Sequence, residues 1–280
     1  MVQHRTFWVV GGDGRQRALS QLLQAEGHSV LCLGLEEGEG PPAETASTDC
    51  ILLPLPVSGR EGFLNAPLAG RSIPLEEVFR PLSPGQPVFG GRVDRTARAL
   101  AERRGVEIRD YFLREDFTIA NAVPTAEGAL QLAMEELPTT IHGSKVLVLG
   151  FGRVGRLTAR RFQALGAEVT VSARRYESLA WAAAEGLRPV LLGRETLPDF
   201  DLVVNTVPAP VLDGPRLARL RPGALVLDLA SKPGGLDWEA AKALPIRTIH
   251  ALSLPGKVAP VTAAAAIRDA VFHMLEEQGP

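Results

Sequence analysis

The chain has 280 residues, of which 45% are hydrophobic and 22% charged, and its formal net charge at pH 7 is -2. This length favours two domains, and the composition is typical of a folded globular protein rather than a disordered or fibrous one. A net charge near zero gives no electrostatic footprint for nucleic acid. No stretch approaches the roughly 18 uninterrupted apolar residues of a membrane-spanning helix. The N-terminus lacks signal-peptide architecture, so we expect a cytoplasmic protein. The five histidines are scattered, and no metal site is predicted.

Strand and helix patterns alternate through the first 120 residues. Apolar runs that end in glycine-rich or proline-rich turns indicate strands, and apolar residues at helical spacing indicate the helices between them. This alternation predicts an N-terminal α/β domain over 1–120 with a flavodoxin-like or Rossmann-like parallel sheet, interrupted by long loops over 36–48 and 59–86. The predicted elements are a strand over 7–10, a helix over 15–26, strands over 29–33, 50–55 and 87–90, a helix over 94–104 and a strand over 106–108.

A connector and a second domain follow. Residues 121–144 are predicted to form a linker with one helix that begins at or near Thr125, after Pro124, and ends at Glu136. The second domain is predicted over 145–280, and its last helix, over 259–277, is expected to pack across the junction between the domains. Its other predicted elements are strands over 145–149, 168–172, 188–191, 201–205, 224–229 and 246–250 and helices over 153–165 and 177–185.

A glycine motif opens the second domain. Gly150-Phe151-Gly152-Arg153-Val154-Gly155 comes directly after the apolar strand over 145–149 and begins the next helix. In a dinucleotide-binding turn of this spacing, the first glycine permits a sharp turn and the second lets the backbone approach a pyrophosphate. The third lets the helix pack closely on the sheet. We therefore predict a C-terminal Rossmann NAD(P)-binding domain with Gly150, Gly152, Arg153, Val154 and Gly155 at the cofactor.

The end of the next strand indicates which nicotinamide cofactor is bound. An NAD-specific site places Asp or Glu there for the ribose 2′-hydroxyl group. This strand instead ends with Ser172-Ala173-Arg174-Arg175. Two guanidinium groups and a hydroxyl suit a 2′-phosphate. The predicted cofactor is therefore NADP, bound through Ser172, Arg174 and Arg175.

Three later segments fall at the carboxyl ends of predicted strands, where ligands bind in open α/β sheets. The first is Asn205-Thr206-Val207-Pro208, and these four residues are predicted to contact the cofactor. The others are the polar and glycine-rich stretches 228–235 and 250–257, which are expected to lie beside the nicotinamide and the substrate.

Several motifs, spread over nearly the whole chain, together resemble the family of dipicolinate synthase A subunits of spore-forming bacteria. The matching stretches are Gly11–Gln16, Ile51–Pro54, Pro124–Gly128, Ile141–Ser144, Gly150–Gly155, Asp228–Gly235 and Leu254–Pro260. The resemblance implies oxidation of a dihydrodipicolinate-type ring to dipicolinate, pyridine-2,6-dicarboxylate, with NADP as the oxidant. It also implies a role in sporulation, in the mother-cell cytoplasm, and a complex with the flavoprotein-like B subunit of dipicolinate synthase.

The implied dicarboxylate substrate requires cations or N–H donors. The charged candidates are Arg15, Lys232 and Lys257, and the neutral ones are Thr125, Ser231 and the amides of Gly234 and Gly256. Asp13, Glu127 and His142 are candidate proton acceptors, and Lys232 is counted with them as a catalytic residue. Lys232 stands where arginine is expected in relatives, so the positive charge is kept but the bidentate geometry is lost.

Two alternatives remain open. The first is another two-domain NAD(P)-dependent dehydrogenase acting on a small carboxylic acid, for which a lysine is expected in the first domain. Residues 1–120 contain no lysine, which disfavours this alternative. The second is an NADP-binding regulatory or scaffold subunit without turnover, because no general base stands out. Association into a homo-oligomer is also left open.

Overall fold

The computed structural model describes residues 4–36 and 48–277. Contacts between Cα atoms divide the chain into two compact units. The first unit comprises residues 1–121 together with 255–280, and the second comprises residues 122–254. The first unit is therefore assembled from two separate stretches of the sequence.

The helices and strands follow the predicted alternation closely. Through the first unit they are β1 (Thr6–Val10), α1 (Gly14–Ala25), β2 (Ser29–Leu33), β3 (Cys50–Leu52), β4 (Ser58–Arg60), β5 (Phe63–Leu64), α2 (Leu75–Phe79), β6 (Val88–Gly90), α3 (Arg95–Glu102) and β7 (Ile108–Asp110). Then come α4 (Glu115–Glu136), β8 (Lys145–Leu149), α5 (Arg153–Ala164), β9 (Glu168–Ala173), α6 (Tyr176–Ala184), β10 (Arg188–Leu191), β11 (Leu202–Asn205), α7 (Gly214–Leu217), β12 (Leu225–Asp228), α8 (Trp238–Lys242), β13 (Arg247–His250), α9 (Leu254–Val258) and α10 (Pro260–Glu276).

The first unit is built on a parallel sheet with the strand order β2-β1-β3-β6-β7. Strand β1 is apolar and buried from Phe7 to Val10 because both faces of the sheet are covered by helices. Phe7 and Val9 belong to the core formed with α1 and α10, whereas Trp8 and Val10 belong to the core formed with α2 and α3. The predicted loop over 59–86 contains the β4–β5 hairpin and α2, and most of the loop over 36–48 lies outside the described residues.

The second unit has a parallel sheet with the strand order β10-β9-β8-β11-β12-β13. The chain moves outward from β8 to β10, then returns to the other side of β8 at β11. The switch point in strand order therefore lies between β8 and β11, and a ligand is expected beyond the carboxyl ends of these strands. This architecture confirms the predicted fold class, an α/β chain with two parallel-sheet domains and a C-terminal Rossmann domain.

Helix α4 is longer than predicted at its N-terminal end. It begins at Glu115 and contains Pro124, so Thr125 lies inside the helix and does not cap it. The prediction took Pro124 as a boundary because proline removes a backbone N–H and disfavours a helical residue before it. The packing of Phe117 in the first unit and Ala133 in the second stabilises the continuous helix despite that cost.

The last helix belongs to the first unit rather than to the domain predicted over 145–280, and its packing across the junction stays a prediction. Helix α10 clusters with the first unit and packs against α1, where Ala264, Ile267, Ala270 and Val271 enter the core. Periodicity identified the helix and its apolar face, but an apolar face carries no information about which domain covers it. In the described ranges, no helix combines the length and the apolar character needed to cross a membrane.

Candidate functional site

The glycine motif forms a tight turn between β8 and α5. Gly150 has a φ of +92°, and a Cβ there would lie 2.5 Å from Oγ1 of Thr206. A Cβ at Gly155 would collide with the carbonyl group of Gly150. The Thr206 hydroxyl donates to the Leu149 carbonyl at 2.9 Å and fixes the neighbouring strand end against the turn. The first and third glycines are therefore required by the packing of the protein itself.

Gly152 has a different environment. It is the N-cap residue of α5, its backbone is extended, and no side chain caps the helix. A Cβ at Gly152 would meet no atom of the described residues within 4 Å. The N-terminus of α5 is thus accessible to a ligand, and the helix dipole favours an anion there. This open cradle fits the pyrophosphate of a dinucleotide.

A pocket of about 480 Å³ continues from this turn to the end of β9. Arg174 and Arg175 are exposed at its rim, and neither forms an ion pair with any carboxylate in the described part of the chain. Two unpaired guanidinium groups can bind a phosphate. The other lining residues are Gly150, Phe151, Gly152, Ser172, Ala173, Ser178, Leu192 and Val207.

Ser172 does not offer its hydroxyl to this pocket. The side chain is fully buried, and Oγ donates to the Glu195 carboxylate on the loop after β10. The predicted role of Ser172 as a phosphate ligand is therefore corrected. The sequence places a hydroxyl at the strand end but does not reveal that a buried carboxylate, 23 residues later, binds it.

The side chain of Asn205 also forms its hydrogen bonds within the protein. It is fully buried, its Nδ2 donates to the Val207 carbonyl at 3.0 Å and to Asp228 Oδ1 at 2.8 Å, and its Oδ1 accepts from the Val207 amide at 3.0 Å. Its side chain cannot contact a cofactor as predicted, and instead shapes the 205–208 loop. Val207 lines the pocket and Pro208 is exposed, and for both residues contact with the cofactor stays a prediction.

Asp228 organises the turn after β12, a role that was not predicted. Besides Asn205, its fully buried carboxylate accepts from the amides of Ala230 at 3.1 Å and Gly235 at 2.8 Å. Gly234 has a φ of +90°, and a Cβ there would lie 2.5 Å from Asp228 Oδ2. This network presents Ser231 and Lys232 on an exposed turn at the carboxyl edge of the sheet.

The predicted residues of the first unit come together at the start of α1. Asp13 caps the helix by accepting from the Arg15 amide at 3.0 Å, and its carboxylate also binds Nε and Nη2 of Arg15, both at 2.8 Å. Arg15 is 6% exposed and further donates to the Leu55 carbonyl at 2.7 Å. Gly256 packs on the same carboxylate, since a Cβ there would lie 2.7 Å from Asp13 Oδ2. Lys257 is exposed beside it.

This pairing changes the chemistry expected of both side chains. Burial alone would raise the pKa of Asp13, but the hydrogen bonds and charge of Arg15 outweigh burial and lower that pKa below its usual value of 3.8. A carboxylate with a lowered pKa is a weaker base, so the geometry disfavours Asp13 as a proton acceptor. Arg15 is buried and already bound to a carboxylate, which corrects its predicted role as a direct substrate ligand.

The remaining predicted residues of the second unit do not form one cluster. Thr125 is half-buried in α4, and Glu127 is exposed and pairs with Arg161 of α5 at 3.2 Å. His142 precedes β8, so it lies at the amino edge of the sheet, opposite the edge where ligands bind. Its ring packs against Gly166. His142 is therefore removed from the candidate proton acceptors, because it lies at the edge of the sheet opposite the expected ligand site.

Comparisons with known proteins match both units. Residues 6–112 match the family described as the N-terminal domain of the A subunit of dipicolinate synthase, and residues 118–231 match the NAD binding domain of D-isomer specific 2-hydroxyacid dehydrogenases. The A subunit of dipicolinate synthase from Bacillus subtilis (strain 168) is 32% identical over 96% of this chain and 95% of its own length.

Solved structures agree with these sequence matches. The crystal structure of the dipicolinate synthase A subunit from Bacillus halodurans has a TM-score of 0.86 and 31% identity, covering 98% of this chain and 99% of that one. The corresponding crystal structure from Bacillus subtilis has a TM-score of 0.84 and 32% identity, covering 99% and 97%. The similarity therefore extends over both units.

Proposed function

Because this chain belongs to the family of dipicolinate synthase A subunits and carries a nicotinamide-dinucleotide-binding domain, we propose that it oxidises a dihydrodipicolinate-type ring to dipicolinate with NADP during sporulation. The observation that carries the proposal is the site at the β8–α5 turn. There an uncapped helix N-terminus continues into a pocket whose rim bears Arg174 and Arg175.

The cofactor preference is inferred from charge. Ala173 ends β9 where an NAD-specific site is expected to place a carboxylate, and two exposed arginines follow it. A 2′-phosphate carries about two negative charges and suits charge-assisted bonds from guanidinium groups. These features support NADP over NAD.

The proposed reaction removes two hydrogens from the ring. One leaves as a hydride from a ring carbon and the other as a proton, and the product is the aromatic pyridine-2,6-dicarboxylate. NADP⁺ supplies the hydride acceptor when it is bound. Aromatic stability drives the oxidation, so the main task of the protein is to bind and orient the substrate.

We assign substrate binding to the turn after β12 and to α9. Lys232 supplies a positive charge for a carboxylate, and Ser231 supplies a hydroxyl group on the same exposed turn. Gly234 and Gly256 are the proposed amide donors, and Lys257 is a second cation. Thr125 and Glu127 stay in the proposal as a further donor and a proton acceptor. Asp13 and Arg15 hold the start of α1 in place.

A partner chain is also part of the proposal. The relatives are named as the A subunit of an enzyme, which supports a complex with a second chain, the flavoprotein-like B subunit expected from the family. The complex is proposed to act in the mother-cell cytoplasm.

The test is to generate the dihydrodipicolinate precursor enzymatically and add the purified chain with NADP or NAD, with and without the partner chain. NADPH formation at 340 nm that requires the precursor and yields dipicolinate supports the proposal. Turnover of another small carboxylic acid in its place favours a different dehydrogenase. Cofactor binding without turnover in every combination favours a regulatory subunit.

A further inference from the structure

Glu195 is a buried carboxylate directly behind the wall of the cofactor pocket. Its side chain is 1% exposed. It accepts from the Ser172 hydroxyl and from the Gly193 amide, whose distances to the two carboxylate oxygens are 3.0 and 3.1 Å. Ser172 and Leu192 line the pocket. The carboxylate is thus separated from the pocket by a single layer of residues.

Arg216 of α7 pairs with this carboxylate. Its Nη2 donates to Glu195 Oε2 at 2.7 Å, and its side chain is 19% exposed, so both partners are largely removed from water. The backbone amide of Arg216 is in turn bound by Asp213 Oδ1 at 2.9 Å, which fixes the start of α7. A buried pair of this kind is held in one geometry and is weakly screened.

The position of the pair matters for an anionic ligand. An unneutralised Glu195 would place a negative charge beside the end of β9, where Arg174 and Arg175 are proposed to bind the 2′-phosphate. Two negative charges that lie close together repel each other strongly in a medium of low dielectric constant. A carboxylate at this strand end is also the group that NAD-specific sites use.

We propose that Arg216 is a specificity-determining residue that acts through Glu195. By neutralising this carboxylate, Arg216 lets the pocket accept a 2′-phosphate, although Arg216 itself does not line the pocket. The inference rests on the proposed NADP preference and adds a second determinant to Arg174 and Arg175.

The test measures binding of two fragments to the full chain by calorimetry at low salt. Adenosine 2′,5′-bisphosphate carries the 2′-phosphate, and 5′-AMP lacks it. For Arg216→Gln we expect the Kd of the bisphosphate to rise about tenfold, because the charge of Glu195 is then uncompensated, while the Kd of 5′-AMP stays within about twofold. Arg219→Gln, one turn away on the exposed surface, is the matched control and leaves both Kd values unchanged.

A double substitution separates charge from folding. Glu195→Gln with Arg216→Gln removes both charges, and bisphosphate affinity is expected to return to within about twofold of wild type. Glu195→Gln alone leaves Arg216 unopposed and is expected to tighten bisphosphate binding about threefold. This single variant tests the inference even if Arg216→Gln fails to fold, which a thermal melt reveals.

Three results would overturn the inference: an unchanged bisphosphate Kd in Arg216→Gln, an equal loss for both fragments, or no recovery in the double variant. Equal affinity of the wild type for the two fragments contradicts the proposed NADP preference instead. The response of the bisphosphate Kd to Glu195→Gln still decides the role of the pair in that case.

Discussion

Each unit has a helix whose N-cap residue adopts the same backbone conformation, but only the first of these helices is capped by a side chain. At the β1–α1 turn the cap residue Asp13 has φ −100° and ψ −158°, and at the β8–α5 turn the cap residue Gly152 has φ −83° and ψ −165°. The backbone conformation is nearly the same. In the first turn a carboxylate occupies the helix N-terminus and pairs with Arg15, whereas in the second no side chain is present. One turn is closed by the protein, and the other is open to a ligand.

This difference shows that glycine spacing alone does not make an anion site. Both turns are rich in glycine, and Gly11 and Gly12 both have positive φ values. What distinguishes them is whether the cap residue has a side chain that can accept from the first N–H groups of the helix. The following predictions test this reasoning.

The largest effect on cofactor binding is expected from giving the second turn the cap of the first. In Gly152→Asp the carboxylate would accept from N–H groups of the first helical turn and repel the pyrophosphate, so the Kd of NADP should rise by about 100-fold, or about 2.7 kcal/mol. The melting temperature should not fall, because Asp is a favourable N-cap. Calorimetry and thermal melts measure both. Gly152→Asn is the uncharged control and should lose less affinity; equal binding by Gly152→Asp and wild type would refute the comparison.

Opening the first turn should cost stability rather than cofactor binding. Asp13→Ala removes the cap and leaves Arg15 buried without its carboxylate, which should lower the free energy of unfolding by about 3 kcal/mol. Urea denaturation at pH 7 measures it. Asp13→Ala/Arg15→Met should recover part of the loss, and an unchanged stability in the single variant would contradict the role assigned to the pair.

The Asp13–Arg15 pair also predicts how the stability of the protein depends on pH. The folded pKa of Asp13 is lowered, so its contribution is fully present above the unfolded pKa of about 3.8 and is lost as the pH falls through the folded pKa. The stability difference between wild type and Asp13→Asn should therefore be constant between pH 5 and 7 and shrink below 3.8. A difference that grows on acidification would show the opposite sign.

Arg174→Ala should have a smaller effect on the open site. Loss of one guanidinium group at the pocket rim is expected to weaken NADP binding about tenfold and leave NAD binding unchanged, since only NADP carries the 2′-phosphate. Fluorescence titration of both cofactors measures the ratio. Arg188→Ala, an exposed arginine on β10, is the control. An unchanged ratio in Arg174→Ala would remove this residue from the proposed determinants.

The smallest effect on stability is expected at Glu127, which is 56% exposed in its pair with Arg161. As an exposed ion pair it should contribute less than about 0.5 kcal/mol to stability. Activity of Glu127→Gln distinguishes its two roles. A kcat within about twofold of wild type indicates a surface pair. A loss of about 100-fold, in the range of general acid–base catalysis, with the acidic limb of the pH profile removed, identifies the proposed proton acceptor.

The strands and the glycine turn could be predicted from the sequence because they depend on local patterns. Apolar runs, glycine at positive φ and alternating helices are each visible within a few residues. The roles of Arg15, Ser172 and Asn205 were misjudged because each depends on a buried partner. Asp13 is close to Arg15 in the sequence. Even so, only the tertiary structure shows that Arg15 binds the Asp13 carboxylate rather than a carboxylate of the substrate. Glu195, Arg216 and Asp228 carry no motif, so only the fold reveals them.

The assembly of the first unit from two stretches has a consequence for synthesis on the ribosome. Strand β1 and helix α1 are made first, yet the apolar face of α1 receives α10 only after all of residues 122–254 have been translated. The second unit is one continuous stretch and can complete its core before α10, which the first unit needs, has been translated. Until then the core that Leu19 and Leu23 of α1 share with α10 is incomplete. We expect released chains that end at residue 254 to hold a protease-resistant second unit and a protease-sensitive first one.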